Sequence, residues 1–427
     1  MRLTTCANDN RTEGSVTVFC GIDWAESHHD AALIDVTGQL LAKRRISDDA
    51  AGYRLLLDLL AEHGDSPEQL IPVAIETSRG LLVAALRTGK RPLCAVNSLA
   101  AARYRDRHAV SRKKSAPGDA LVLANILRTD MHAHRPLPSD TDQARAIAVL
   151  ARAQQDAVWN RQQLVNQVRS LLREYYPAAL EAFLGKQFGL ARAEARAVLA
   201  AAPTPARAAQ LSLPQLRAAL KRAGRQRGID TEVERLRQVF RGECARRPST
   251  VEDTMGHQLT SLMRQLDAAC LSADELAEAV EASFRRHPDA EIILSFPGIG
   301  VQLGARVLAA IGDDRSSFAD ARALKAYAGS APITRASGKK RHVGRRFIKN
   351  NRLITAGFRW AFSALRASPG ADAHYRRRRE RGDWHAQAQR RLLNRVIGQL
   401  YHCLQTRQLF DEDHAFTSSS TDLAVAA

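Results

Sequence analysis

The sequence predicts an α/β domain at the N-terminus, a long helical connector behind it and a mainly α domain at the C-terminus. Three observations carry that prediction. Apolar β-rich runs alternate with helical periodicity over about the first 130 residues. After Pro136 and Pro138 the alternation stops, and two long amphipathic patterns follow. A compact helical pattern, strongly basic in its middle, then runs from Asp289 to about Thr406.

Element by element, Val16 to Ile22 is a short apolar run ending in Asp23. Ala31 to Val36, a Thr37-Gly38 turn and Gln39 to Ile46 complete an antiparallel meander. From about Ala50 to Glu62, Leu55, Leu56, Leu59 and Leu60 share a helical face. Ile71 to Ile75 is a strand that ends in Glu76. A short helix near Gly80 to Arg87, a strand at Pro92 to Val96 and a helix from about Asp119 to Arg128 close the unit. Three strands, helix, strand, helix, strand, helix is the order of the ribonuclease-H-like fold, a mixed sheet flanked by helices.

Asp142 to Tyr176 reads as one long helix, with Pro177 at its end, and Val251 to Arg286 as another. Two such helices around an insert suggest an antiparallel coiled-coil arm or the core of a helical bundle. Either would serve as a spacer or a dimerisation element. Residues 185–250 are rich in Ala and Arg and helical by propensity, without a motif. The expected divisions are a flexible N-terminus at 1–15, the acid domain at 16–138, the connector at 139–288, a serine-bearing domain at 289–410 and a disordered tail at 411–427.

Within 427 residues, 63 Lys and Arg oppose 45 Asp and Glu, a formal charge of +18. An excess of that size implies a polyanionic partner, most often nucleic acid. No apolar run approaches the roughly 20 residues that span a bilayer, and Met1 to Ser15 lacks a signal-peptide core. The expectation is a cytoplasmic protein without a membrane partner. Six scattered cysteines without a Cys-x-x-Cys pair argue against a disulfide framework or structural zinc.

Asp23 and Glu76 end strands that the inferred topology makes parallel neighbours, and Asp119 opens a helix able to reach the same edge. Hard cations such as Mg²⁺ (or Mn²⁺) take oxygen ligands of this kind, and two of them can drive phosphodiester chemistry. His28 and His29 lie near Asp23 without ligand spacing and read as structural. In the C-terminal domain, Gly298-Ile299-Gly300 between two helical runs resembles a helix-hairpin-helix turn, whose backbone N–H groups meet a DNA phosphate; an ordinary helix-linking turn fits it too. Farther on, Ser337-Gly338 is followed by Lys339, Lys340, Arg341, Arg345, Arg346, Lys349 and Arg352. Cations around a serine can hold a phosphate and activate the hydroxyl; by its residues alone, Ser337 reads more readily as an ordinary loop serine. Arg376, Arg377, Arg378 and Arg379, near Tyr375 and Trp384, suit backbone contact with base stacking on RNA or unpaired DNA. A solvated basic face is the alternative. Lys113 and Lys114 are further candidate phosphate contacts.

Phe19-Cys-Gly-Ile-Asp-Trp-Ala-Glu-Ser-His-His-Asp30 resembles the opening of the insertion-sequence-110 transposases. Ile75-Glu76-Thr77 resembles the segment of their second acid, and Tyr104 to Ala120 the stretch with the last two. The resemblance covers about residues 16–130 and 289–405. It implies a RuvC-like N-terminal domain with an Asp, Glu, Asp, Asp set, and a C-terminal transposase domain whose nucleophile matches Ser337; Ser330 occupies a slot that usually holds Leu and ranks below it. It implies cutting and rejoining of target and donor DNA through a phosphoserine link. It also implies a structured bridge RNA as guide, and a homo-oligomer, dimer or tetramer, in which the acids complete the site around the serine. One departure stands out. Where the family reads Lys-Ser/Thr-Asp-x-x-Asp-Ala, this chain has Lys114-Ser-Ala-Pro-Gly-Asp-Ala120, so Ala116 occupies the third acid's position. Either the copy is impaired, or it was deliberately disarmed, the favoured reading, or another acid such as Asp130 compensates. Two rivals remain: a metal-dependent endonuclease or junction resolvase that uses water and not Ser337, and a nucleic-acid-binding protein without catalysis.

Overall fold

The computed structural model describes residues 18–87, 91–108, 116–185, 189–338 and 340–416. The chain divides into two compact units, 1–139 and 140–427. The flexible N-terminus expected at 1–15, together with Lys113, Lys114 and Lys339, lies outside the described residues.

The first unit is a five-stranded mixed sheet in the order β3-β2-β1-β4-β5, consistent with a ribonuclease-H-like fold. Strands β1 (Val18–Trp24), β2 (His28–Asp35) and β3 (Leu40–Ser47) form the antiparallel meander. Helix α1 (Ala50–Glu62) starts at Asp49, whose carboxylate accepts from the Gly52 amide. Then come β4 (Val73–Ile75), α2 (Leu81–Arg87), β5 (Leu93–Ala95), α3 (Ser98–His108) and α4 (Ala116–Asp130), with β4 parallel to both β1 and β5. Each face of the sheet has its own core. Cys20, Ile22, Val73 and Ile75 meet Leu56, Leu59 and Leu60 of α1 and Leu82, Val83 and Leu86 of α2. Phe19, Ile34, Ala74 and Cys94 meet Ala101 of α3 and Leu123, Ala124 and Leu127 of α4. Helix α3 was not expected: its Leu-Ala-Ala-Ala-Arg-Tyr-Arg-Asp-Arg run has no apolar stripe to announce it.

The second unit is largely helical. Helix α5 (Asp142–Tyr175), capped by the Thr141 hydroxyl, lies antiparallel to α11 (Ser249–Phe284). Between them α6 (Pro177–Phe183), α7 (Ala193–Ala201), α8 (Pro205–Gln210), α9 (Leu213–Arg222) and α10 (Ile229–Arg241) wrap the far end of the pair. There Leu164, Val168 and Leu172 of α5 and Leu259, Met263 and Leu266 of α11 join Val198, Leu216, Leu236 and Phe240 in one core. The insert without a motif is therefore a folded cap.

At the near end, Ile147 and Ala151 of α5 and Val280 and Phe284 of α11 enter a second core. It is built with α12 (Ala290–Leu294), α13 (Val301–Ile311), α14 (Ala321–Ala328), α15 (Asn351–Ala367), α16 (Pro369–Glu380) and α17 (His385–Thr406). The break expected at 289 falls inside this core. Two further departures follow. Residues of the basic loop form an antiparallel hairpin, β6 (Ile333–Ser337) and β7 (Lys340–Gly344). The tail expected from 411 begins with α18 (Glu412–Phe416), anchored where Phe416 packs on Gly370. Residues 417–427 lie outside the described residues. Cys20, Cys94, Cys270 and Cys403 are buried thiols and Cys244 a partly buried one. Among the described residues no helix is long and apolar enough to cross a membrane.

Candidate active site and nucleic-acid interface

The register that pairs Ile22 of β1 with Ile75 of β4 places Asp23 and Glu76 side by side where these parallel strands end. Side chains alternate along a strand, so Cys20 and Ile22 enter the α1/α2 core while Phe19, Gly21 and Asp23 face α4. At Gly21 the helix lies directly on the strand: a Cβ there would overlap the Ala120 carbonyl and the Ala124 amide. That close approach draws the neighbouring Asp119 to the same face. Asp119 is 5% exposed and paired with Arg105 of α3. Glu76 accepts from the hydroxyl of Ser98, the first residue of α3, at 3.2 Å. Ser98 and Arg105 are two helical turns, about 10 Å, apart. One face of α3 thus holds both acids, at separate levels.

An all-oxygen donor set suits a hard cation, and Asp23 and Glu76 are side chains of that kind at adjoining strand positions. Among the described residues, however, no three His, Cys, Asp or Glu side chains come together to hold a metal. Asp119 is committed to Arg105, and alanine at 116, where α4 begins, brings no donor. Asp130 lies apart from Asp119. It ends α4, about 16 Å along the axis from Asp119, and accepts from the Thr129 hydroxyl. His29 is fully buried, with Asp48 at 3.3 Å and the Ala25 amide at 3.4 Å, and serves the fold.

The second unit separates the two serines of the basic motif. Ser330 is 2% exposed; its hydroxyl lies 3.2 Å from the Lys325 carbonyl and 3.1 Å from Asn394 Oδ1. Ser337 is exposed at the end of β6, opposite Lys340, with Gly338 at φ +55° in the turn. Its hydroxyl has no hydrogen-bond partner among the described residues. Asn350 fixes the other root of the hairpin. Its amide donates to the Tyr327 carbonyl at 2.9 Å, its side chain to the Tyr327 hydroxyl at 2.7 Å, and its Oδ1 caps α15. Between these roots Arg335, Lys340, Arg341 and Arg345 are exposed.

A DEDD transposase family of the IS110 type, whose acid set typically works with a metal, matches residues 20–177, and the transposase IS116/IS110/IS902 family matches 290–376. The IS117 mini-circle protein of Streptomyces coelicolor, whose name describes a transposase, is 74% identical over 95% of this chain and 98% of its own. The chain belongs to the IS110/IS116/IS902 transposase family. The 42 kDa protein of insertion element IS900 from Mycobacterium paratuberculosis is 29% identical over 96% of this chain and 99% of its own. The 43.6 kDa protein of IS110 from Streptomyces coelicolor is 28% identical over 93% and 96%.

The other expected contacts of this transposase divide by their surroundings. Arg352 is tied to α5, with Asp156 at 2.8 Å, Gln155 at 2.7 Å and the Trp159 ring beneath it. The Lys349 stem packs on Gly329, and its ammonium donates to the Arg346 and Phe347 carbonyls. Arg376 pairs with Asp372, Arg378 with Asp383, and Arg379 donates to the Asp383 carbonyl. Arg377 and Trp384 stand exposed. In the Gly298-Ile299-Gly300 turn, Gly298 has φ +77° and a Cβ there would strike the α15 backbone at Ala364; Gly300 faces open space. Sequence reasoning missed Gly21 and Arg105, since nothing local marks which helix a glycine receives or which cation an acid meets.

Proposed function

We propose that this transposase cuts and rejoins DNA through a phosphoserine link at Ser337, with target and donor chosen by pairing to a structured bridge RNA. The observation that carries the reading is the presentation of Ser337: of the motif's two serines it alone is exposed, on a hairpin flanked by cations. Its Oγ attacks a backbone phosphorus, the O–P bond to the leaving deoxyribose breaks, and the hydroxyl proton passes to the leaving oxygen through solvent. One phosphodiester replaces another, so rejoining needs no ATP. Arg335, Lys340 and Arg341 hold the phosphate and favour its developing charge. Asp23 and Glu76 are the residues that would hold Mg²⁺ (or Mn²⁺), joined by Asp119 on release from Arg105. The ion, when bound, supplies Lewis-acid stabilisation of phosphoryl oxygens. Homo-oligomerisation through the α5–α11 pair belongs to the same proposal, with sedimentation as its measurement.

Ala116 favours a second reading, in which the protein binds RNA and DNA without cutting. The test uses Ala116→Asp protein with Mg²⁺, the element's RNA and labelled DNA on a denaturing gel. A labelled protein band that disappears in Ser337→Ala is the expected result. Cleavage without such a band assigns a hydrolytic nuclease; binding without cleavage or band assigns the second reading.

A further inference from the structure

We infer that Phe347 and Ile348 form an apolar wedge that enters the base stack of duplex DNA beside the Ser337 hairpin. The inference rests on the reading of that hairpin as a DNA-engaging arm. Ile348 is 90% exposed and Phe347 67%, with Val343 at 55% on the adjoining strand. Single exposed apolar side chains are ordinary, but consecutive large ones mark a contact surface.

The pair is presented on a held segment. The Arg345 guanidinium lies 5.0 Å over the Phe347 ring, and the Lys349 ammonium ties the carbonyls of Arg346 and Phe347. Asn350 then fixes the chain to Tyr327.

Charge selects the partner. No aspartate or glutamate falls between Asp320 and Asp372, while Arg345 lies over Phe347 and Arg335, Lys340 and Arg341 are exposed on the hairpin that precedes the pair. A second copy of this chain would bring like charge to this surface; a phosphate backbone brings the opposite one. Apolar side chains on such a surface insert between base steps and kink the duplex. Strand β6 spans about 13 Å from its root at Ile333 to Ser337, the length of about four base steps. Phe347 and Ile348 follow the end of β7 at Gly344, on the root side of the hairpin from Ser337. A kink there would loosen the strand that must be exchanged.

The test compares the native protein with the Phe347→Ser, Ile348→Ser double variant on a short linear DNA duplex. Anisotropy over a series of salt concentrations reads affinity, and energy transfer between dyes at the two duplex ends reads bending. The double variant is expected to bind about tenfold more weakly or worse, with its salt slope unchanged because no phosphate contact is lost, and to leave the duplex unbent. Phe347→Trp should restore binding and bending. Three results would overturn the inference: affinity within about twofold of native with equal bending; a loss confined to single-stranded RNA; or a changed sedimentation of the protein alone with DNA binding intact. The Ser337-dependent adduct is scored on a denaturing gel apart from anisotropy and bending, so failure of the phosphoserine reading and failure of the wedge are read separately.

Discussion

A methyl group added to Gly21 would sit inside the backbone of α4, against the Ala120 carbonyl and the Ala124 amide. Gly21→Ala is therefore expected to cost about 1–3 kcal/mol through overpacking, read as a lower melting temperature, and to push Asp119 off the sheet. An unchanged melting temperature would mean that α4 docks elsewhere. Arg105 poses the complementary question. Removing it leaves the Asp119 carboxylate buried without its partner, at an expected cost of about 3 kcal/mol or more. Arg105→Ala in an Ala116→Asp background should recover stability on addition of Mn²⁺, whereas the native protein should not respond. A melting curve indifferent to Mn²⁺ would remove Asp119 from the candidate ligands.

At the scale of an element, the hairpin is a long exposed arm held at its two roots. Ser330→Ala removes a hydrogen bond at one root and should cost about 1 kcal/mol while leaving the Ser337-dependent adduct in place. Ser337→Ala should do the reverse, with unchanged melting and no adduct. Asn350→Ala removes the cap of α15 and the contact to Tyr327. It should cost about 1 kcal/mol and speed proteolytic nicking between 331 and 349. Equal nicking rates would show that the arm is not held there.

Across the second unit, Asp313 joins the start of α5 to the segment after α13. It accepts from the Thr141 amide at 2.9 Å, the Thr141 hydroxyl at 2.6 Å and His287 Nε2 at 3.3 Å. Burial alone would raise its pKa, but these hydrogen bonds outweigh it and hold the carboxyl below its ordinary value. The native state then binds fewer protons than the unfolded one near that value. The contribution is present above the unfolded pKa of about 3.9 and is lost as pH falls through the depressed native value. Urea midpoints between about pH 5 and pH 3 should fall less steeply for Asp313→Asn than for native protein. For the molecule as a whole, the +18 charge predicts DNA affinity that drops linearly in log–log form with salt. A flat salt response would contradict phosphate contact as the main source of binding.

The sheet order, the two acids at neighbouring strand ends, the two long helices and the polyanionic partner were legible in the residues. Each rests on local periodicity, on composition or on the family's motifs, and those survive in one dimension. Helix α3 lacked an apolar stripe. The hairpin strands carry mostly exposed side chains and so never show a buried alternation. Which cations remain available was invisible for a different reason. Arg352 is met by Asp156, 196 residues earlier in the chain, and Asp119 by an arginine on another helix. The sequence by itself determined which groups can do chemistry and which faces must be buried. Only the tertiary structure decided which of those groups are spent on the fold, because ion pairs and close backbone approaches are set by distance in space rather than along the chain.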